Sequence, residues 1–221
     1  MSEATFLLRH YFHGGGSAMP AVRKLIEEGE LDSAAAVVRL ALRRAEGMER
    51  DELLAVLGEI SSAPSGWTAA LEQFAAAPSE EAWEALMRFV PEDVFYQRLK
   101  YTVLVLLGLG CDGDLLFRCV SRLGMLPELF DLADSGTVDP ETIVARASGS
   151  PSEAAWLGLA AKASYARGDR AATVRHLWRA SQLNPILSYA SLAELRGRDD
   201  AELNAELDRA GVRGLFDDQD R

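Results

Sequence analysis

The chain has 221 residues, 34 acidic against 23 basic, for a net charge of −11, with 48% hydrophobic and 26% charged residues. These proportions suit a folded protein and exclude a disordered one, and the length points to one domain or one elongated array of repeats. The acidic balance excludes bulk electrostatic attraction to nucleic acid or to an anionic membrane, since both require net neutralisation of phosphates.

In chain order, alanine, leucine, arginine and glutamate dominate, and the punctuation fits helix starts and stops. Helices are predicted near residues 3–12, 18–28, 32–46, 50–61, 67–77, 80–89, 91–108, 114–123, 126–134, 140–147, 151–167, 170–183, 185–196 and 199–210. The firmest starts carry a cap or a first-turn proline. Asp139-Pro140-Glu141 and Asn184-Pro185 place a capping side chain ahead of a proline. Pro91-Glu92-Asp93 adds two acids where the helix dipole favours them. In Ser150-Pro151-Ser152-Glu153, Ser150 is the expected cap, and Glu153 is spaced to return a bond to the Ser150 amide. Connections are short, so consecutive helices are expected to form antiparallel hairpins. The predicted fold is all-α, an irregular solenoid or a compact helical array. Residues 1–16 form a first helix and a glycine-rich hinge, residues 17–212 a single repeat-like domain, and residues 213–221 an acidic tail.

The first residues lack a basic stretch ahead of a long apolar one, and the longest largely apolar run, Tyr101 to Gly110, is about half a membrane span. A cytoplasmic protein with no membrane partner is the expectation. Cys111 and Cys119 lack C-x-x-C spacing, and if both are helical they stand eight residues and roughly 12 Å apart along the axis, too far for a disulfide. They read as small apolar residues of a reducing compartment.

Residues 152–185 run as a helix, a Gly168-Asp169 turn, a second helix and a closing proline. Ala161 and Ala180 are small where two helices must cross closely, and Leu177 fills the hairpin. In length and order this segment resembles a tetratricopeptide repeat. It departs from the usual pattern at Ser164 and Thr173, where an aromatic residue and an alanine are common. Residues 21–41 echo it, with Gly29 at the turn and Ala34, Val38 and Ala41 at packing positions. The resemblance implies a concave face built by the first helix of each pair, where a protein or peptide partner is bound. The matching positions are Arg23, Lys162 and Tyr165. On the second helix Arg175 and Arg179 stand one turn apart, and with Lys162, Arg167 and Arg170 they form a basic cluster suited to an acidic peptide or a C-terminal carboxylate.

Three motifs point elsewhere. Tyr11-Phe12-His13-Gly14-Gly15-Gly16 is similar to the oxyanion-hole stretch of lipases and esterases, but the chain has no Gly-x-Ser-x-Gly nucleophile turn. Gly108, Gly110 and Gly113 have dinucleotide-binding spacing after an apolar run, but no further buried strand pattern follows to build a sheet. His10 and His13 share a helix face without a nearby cysteine or carboxylate to complete a metal set. Trp67, Trp83, Trp156 and Trp178 read as core or groove residues. The expectation is therefore a non-enzymatic interaction module without cofactor, metal or catalytic residues. The alternatives are an acidic inhibitor or immunity-type protein that blocks a basic partner, and a dinucleotide-binding enzyme at Gly108–Gly113.

Overall fold

The computed structural model describes residues 3–12, 16–60, 65–90 and 92–212. His13, Gly14 and Gly15, and the predicted tail at 213–221, lie outside them. Among the described residues the chain is all-α, with fourteen α-helices, one 3-10 turn and no strand. It divides into two compact units, Met1–Cys119 and Val120–Arg221.

The first unit contains α1 (Glu3–Phe12), α2 (Met19–Glu27), α3 (Leu31–Ala41), α4 (Gly47–Ile60), α5 (Gly66–Ala76), α6 (Glu80–Met87) and α7 (Phe95–Gly108). Its centre is α3, buried along Ser33–Val38, Leu40 and Ala41, with α2, α4, α5 and α7 packed on it. The small side chains of Ala34, Ala35 and Ala36 let several neighbours approach one helix. The first helix packs on α2 and α7 and buries Ala4 and Leu8. Arg98 of α7 ties three helices together: its guanidinium lies 5.0 Å from the Trp67 ring centroid on α5 and 3.2 Å from Asp32 of α3. Residues 91–108 were expected to be one helix, but Glu92–Val94 form a 3-10 turn and α7 starts at Phe95.

The apolar run at Thr102–Leu106 is buried helix. It closes at Gly110, whose φ of +74° lets the Cys111 amide donate back to the Leu106 carbonyl at 3.0 Å. That wrap of the chain is the usual glycine-terminated helix end. The dinucleotide-like spacing is therefore a helix terminus, without the strand that gives such glycines their meaning. From there α8 (Gly113–Ser121) carries the chain toward the second unit.

The second unit contains α9 (Glu128–Asp134), α10 (Pro140–Ala147), α11 (Glu153–Ala166), α12 (Arg170–Leu183), α13 (Pro185–Arg196) and α14 (Ala201–Arg209). Asp139 and Asn184 cap as predicted: Asp139 accepts from the Glu141 amide at 3.0 Å, and Asn184 from the Ile186 and Leu187 amides at 3.0 and 3.1 Å. The capping box at Ser150 does not form. Ser150 accepts from the Ser152 amide in a turn before α11, and Glu153 instead receives Arg179 of α12 at 2.6 Å. The Ser150 amide already donates to the Ala147 carbonyl at 2.9 Å, which leaves the Glu153 carboxylate to the arginine across the hairpin.

Helix α11 is the hub, packed on α9, α10, α12 and α13. Ten of its fourteen residues are buried, as expected of a helix surrounded by others. Ala161 and Leu177 join Leu192, Leu195, Leu203, Leu207 and Val212 in one core cluster across α11–α14. The approach of α13 depends on Gly158, where a Cβ would lie 2.7 Å from Ser191 Oγ and 3.0 Å from Ser191 Cβ. The hydroxyl can rotate away, but the Cβ moves only with its helix. Gly158→Val is expected to destabilise the protein by about 1–3 kcal/mol, the usual cost of overpacking, with partial rescue by Ser191→Gly in urea denaturation. Equal stability of Gly158→Val and wild type contradicts this contact.

Candidate functional site

Of the predicted partner-binding residues, Lys162 lies where a partner does not reach it. Its side chain is 1% exposed, held inside the second unit between α9 and α13. Its Nζ donates to Glu194 Oε2 at 2.8 Å and stands 3.1 Å from Asp134 Oδ2 and 4.7 Å from the Phe130 ring centroid. Arg198 completes the group, donating to Asp134 Oδ1 at 2.6 Å and to Glu194 Oε1 at 3.1 Å. Two cations and two carboxylates thus neutralise one another across α9, α11 and the end of α13. A buried ammonium is tolerable only with such partners, because desolvation strongly disfavours the lone charge.

Burial alone would raise Glu194, but the hydrogen bonds and charges of Lys162 and Arg198 outweigh it and hold the carboxyl below its ordinary 4.5. The same network raises Arg198 against its own desolvation. Tyr165, half-buried, lies under Arg198, with 5.2 Å between the guanidinium and its ring centroid. Lys162 and Tyr165 are therefore brought together, but as part of an internal lock.

The remaining predicted residues stand apart from that lock. Arg23 is exposed on α2 of the first unit. Arg170 pairs with Asp200 at 3.1 Å and Glu202 at 2.7 Å. Arg175 and Arg179 are exposed on α12, Arg179 paired to Glu153, and Arg175 with no ion pair among the described residues. Between them Trp178 is 47% exposed, whereas Trp67, Trp83 and Trp156 are buried. Those three are core residues, whereas the helix position of Trp178 places it on the outward stripe with Arg175. Sequence reading missed this aromatic as a surface feature, although its spacing from Arg175 and Arg179 carried the signal. Leu183, Ile186 and Leu187, also exposed, flank the single-residue junction from α12 to α13.

A second feature is a cleft at the turn joining α11 to α12, lined by Ser164, Arg167, Asp169, Arg175 and His176 together with Asp139 and Glu141 of α10. Burial first, and then Arg175, pushes the His176 imidazole below its ordinary range. Elsewhere neither cysteine is in a disulfide, and burial, with Asp112 adding to it, pushes Cys111 up to about 11, away from nucleophilic reactivity. Among the described residues no three His, Cys, Asp or Glu side chains converge on a metal position, and no helix is long and apolar enough to cross a membrane.

The chain matches no protein-family model, and neither the curated proteins nor the solved structures contain a significant match.

The Lys162 lock has a defined pH signature. Glu194 is more acidic folded than unfolded, so its contribution is full above about 4.5 and is lost as pH falls through the lower folded value. Glu194→Gln is expected to unfold at lower urea than wild type at pH 7, with the gap narrowing as pH drops below 4.5. Lys162→Met, which leaves two carboxylates facing only Arg198, is expected to cost about 1–3 kcal/mol at pH 7. A pH-independent gap for Glu194→Gln contradicts the lock.

Proposed function

We propose that the chain is a non-enzymatic, cytoplasmic interaction module whose second unit is a tetratricopeptide-like hairpin array, and that it holds a protein or peptide partner on the outer face of α12. The observation that carries this reading is Trp178, a large aromatic 47% exposed, one turn from the exposed Arg175 and next in sequence to the exposed Arg179. Tryptophan and arginine are the side chains that most often dominate binding energy at protein interfaces. Arg175 has no ion pair to break before it engages a partner, and Trp178 offers apolar area flanked by charge. The α12 to α13 junction adds Leu183, Ile186 and Leu187 to the exposed apolar surface of the same hairpin region. A partner bearing carboxylates around an apolar contact is the complement of this face. Arg179 takes part by exchanging Glu153 for a partner acid, a low-cost exchange at an exposed pair.

Lys162 and Tyr165 support the face from behind, by fixing α11 against α9 and α13, and have no part in contact. Arg23, on the other unit, is outside this proposal. The alternative of an acidic inhibitor places binding on the carboxylate-rich remainder of the surface, and one experiment separates the two. In affinity capture from native lysate, wild type is expected to retain a partner that the Arg175→Glu, Trp178→Ala, Arg179→Glu variant loses, with both proteins giving the same helical circular dichroism. Capture of the same partner by both contradicts the α12 face and favours the acidic surface.

A further inference from the structure

The cleft at the α11–α12 turn holds groups that the interaction reading leaves unused. Its volume is about 230 Å³, below the roughly 300–1,000 Å³ of drug-sized pockets, which limits its occupant to a compact molecule. Two polar atoms of its lining, Ser164 Oγ and His176 Nε2, are buried without any hydrogen-bond partner. Ser164 is fully buried and His176 is 6% exposed. A serine inside a helix ordinarily donates to the carbonyl four residues before it, and Ser164 does not. Native proteins leave few buried polar groups unsatisfied, and two lining the same cleft form a site waiting for hydrogen bonds.

The charges around them are of both signs. Arg167 and Arg175 make no ion pair among the described residues, and Glu141 of α10 is likewise exposed and unpaired. Asp139 and Asp169 also line the cleft, but each caps its own helix, Asp169 accepting from the Ala172 amide at 2.9 Å. A simple anion would be met by these carboxylates, and a simple cation by the two guanidinium groups. Only a ligand carrying both charges is matched. Guanidinium groups recognise carboxylates through planar, paired donors, which gives the acid end of such a ligand its place.

We propose that this cleft binds a small zwitterion of the α-amino-acid type, its carboxylate held by Arg167, Arg175 and the Ser164 hydroxyl, and its ammonium by Glu141. His176 contributes a hydrogen bond through its buried, unpartnered Nε2. This site shares Arg175 with the partner face, whereas Arg167 and Glu141 have no role on the outer stripe of α12 and so report on the cleft alone.

Calorimetric titration of the full chain with each common amino acid, and with acetate and methylammonium as single-charge controls, tests it. At least one amino acid is expected to bind saturably at millimolar concentration while acetate and methylammonium do not. Arg167→Ala and Glu141→Gln are each expected to weaken that binding about tenfold, as loss of one charge-assisted hydrogen bond does, with unchanged helical circular dichroism. Absence of binding by every amino acid overturns the proposal, as does acetate binding as tightly as the amino acid, or undiminished binding in both variants. Partner capture by Glu141→Gln is expected to equal that of wild type, so failure here and failure of the partner face are read separately.

Discussion

The second unit is organised around a charge that cannot reach water. Lys162 sits on a helix buried on every side, so its ammonium requires carboxylates from the neighbouring helices, and Asp134 and Glu194 supply them. This requirement fixes more than a contact. It sets which turn of α9 and which turn of α13 face the middle of α11, and Arg198 then closes the group by bridging the same two acids. Apolar packing alone tolerates sliding of one helix past another, whereas four charges with directed hydrogen bonds do not. The close approach at Gly158 and Ser191 fixes the same α11–α13 crossing sterically. Polar register and steric fit act at one helix pair.

The inward turn of Lys162 redistributes the basic residues of the hairpin. Arg170 is held by Asp200 and Glu202, Arg198 by Asp134 and Glu194, and the arginines left facing outward are those of the α12 stripe and the cleft beside it. A surface with a net charge of −11 behind it thus presents a small basic and aromatic face. The contrast favours recognition over nonspecific adhesion, because an acidic molecule as a whole repels the acidic partners that its local face selects. The cleft at the helix turn is of another kind, lined by groups of both signs instead of forming an exposed stripe.

Much of the fold was legible in the sequence, because it is written in local chemistry. Asp139-Pro140 and Asn184-Pro185 start helices through their own side chains, and Gly168 ends one through a positive φ of 79°. The errors arose where a distant group competed. Glu153 was read as half of a capping box, but Arg179, twenty-six residues on, takes its carboxylate. Lys162 was read as an exposed ligand-facing residue because lysines usually are, although its neighbours Ala160, Ala161 and Ala163 already described a helix with no wet side. The acids that make its burial possible are remote in sequence, Asp134 before it and Glu194 after it, and no spacing rule joins them. The cleft was equally invisible, since it combines the start of α10 with the turn between α11 and α12.

Lysine acetylation of the native protein followed by mass spectrometry tests the central claim most directly, because the chain has only three lysines, Lys24, Lys100 and Lys162. With Lys162 sealed between Asp134, Glu194 and the Phe130 ring, it is expected to be modified only after unfolding in denaturant. Modification of Lys162 in the folded protein at its rate in denaturant would contradict the inward lock, and with it the assignment of α12 as the face left for a partner.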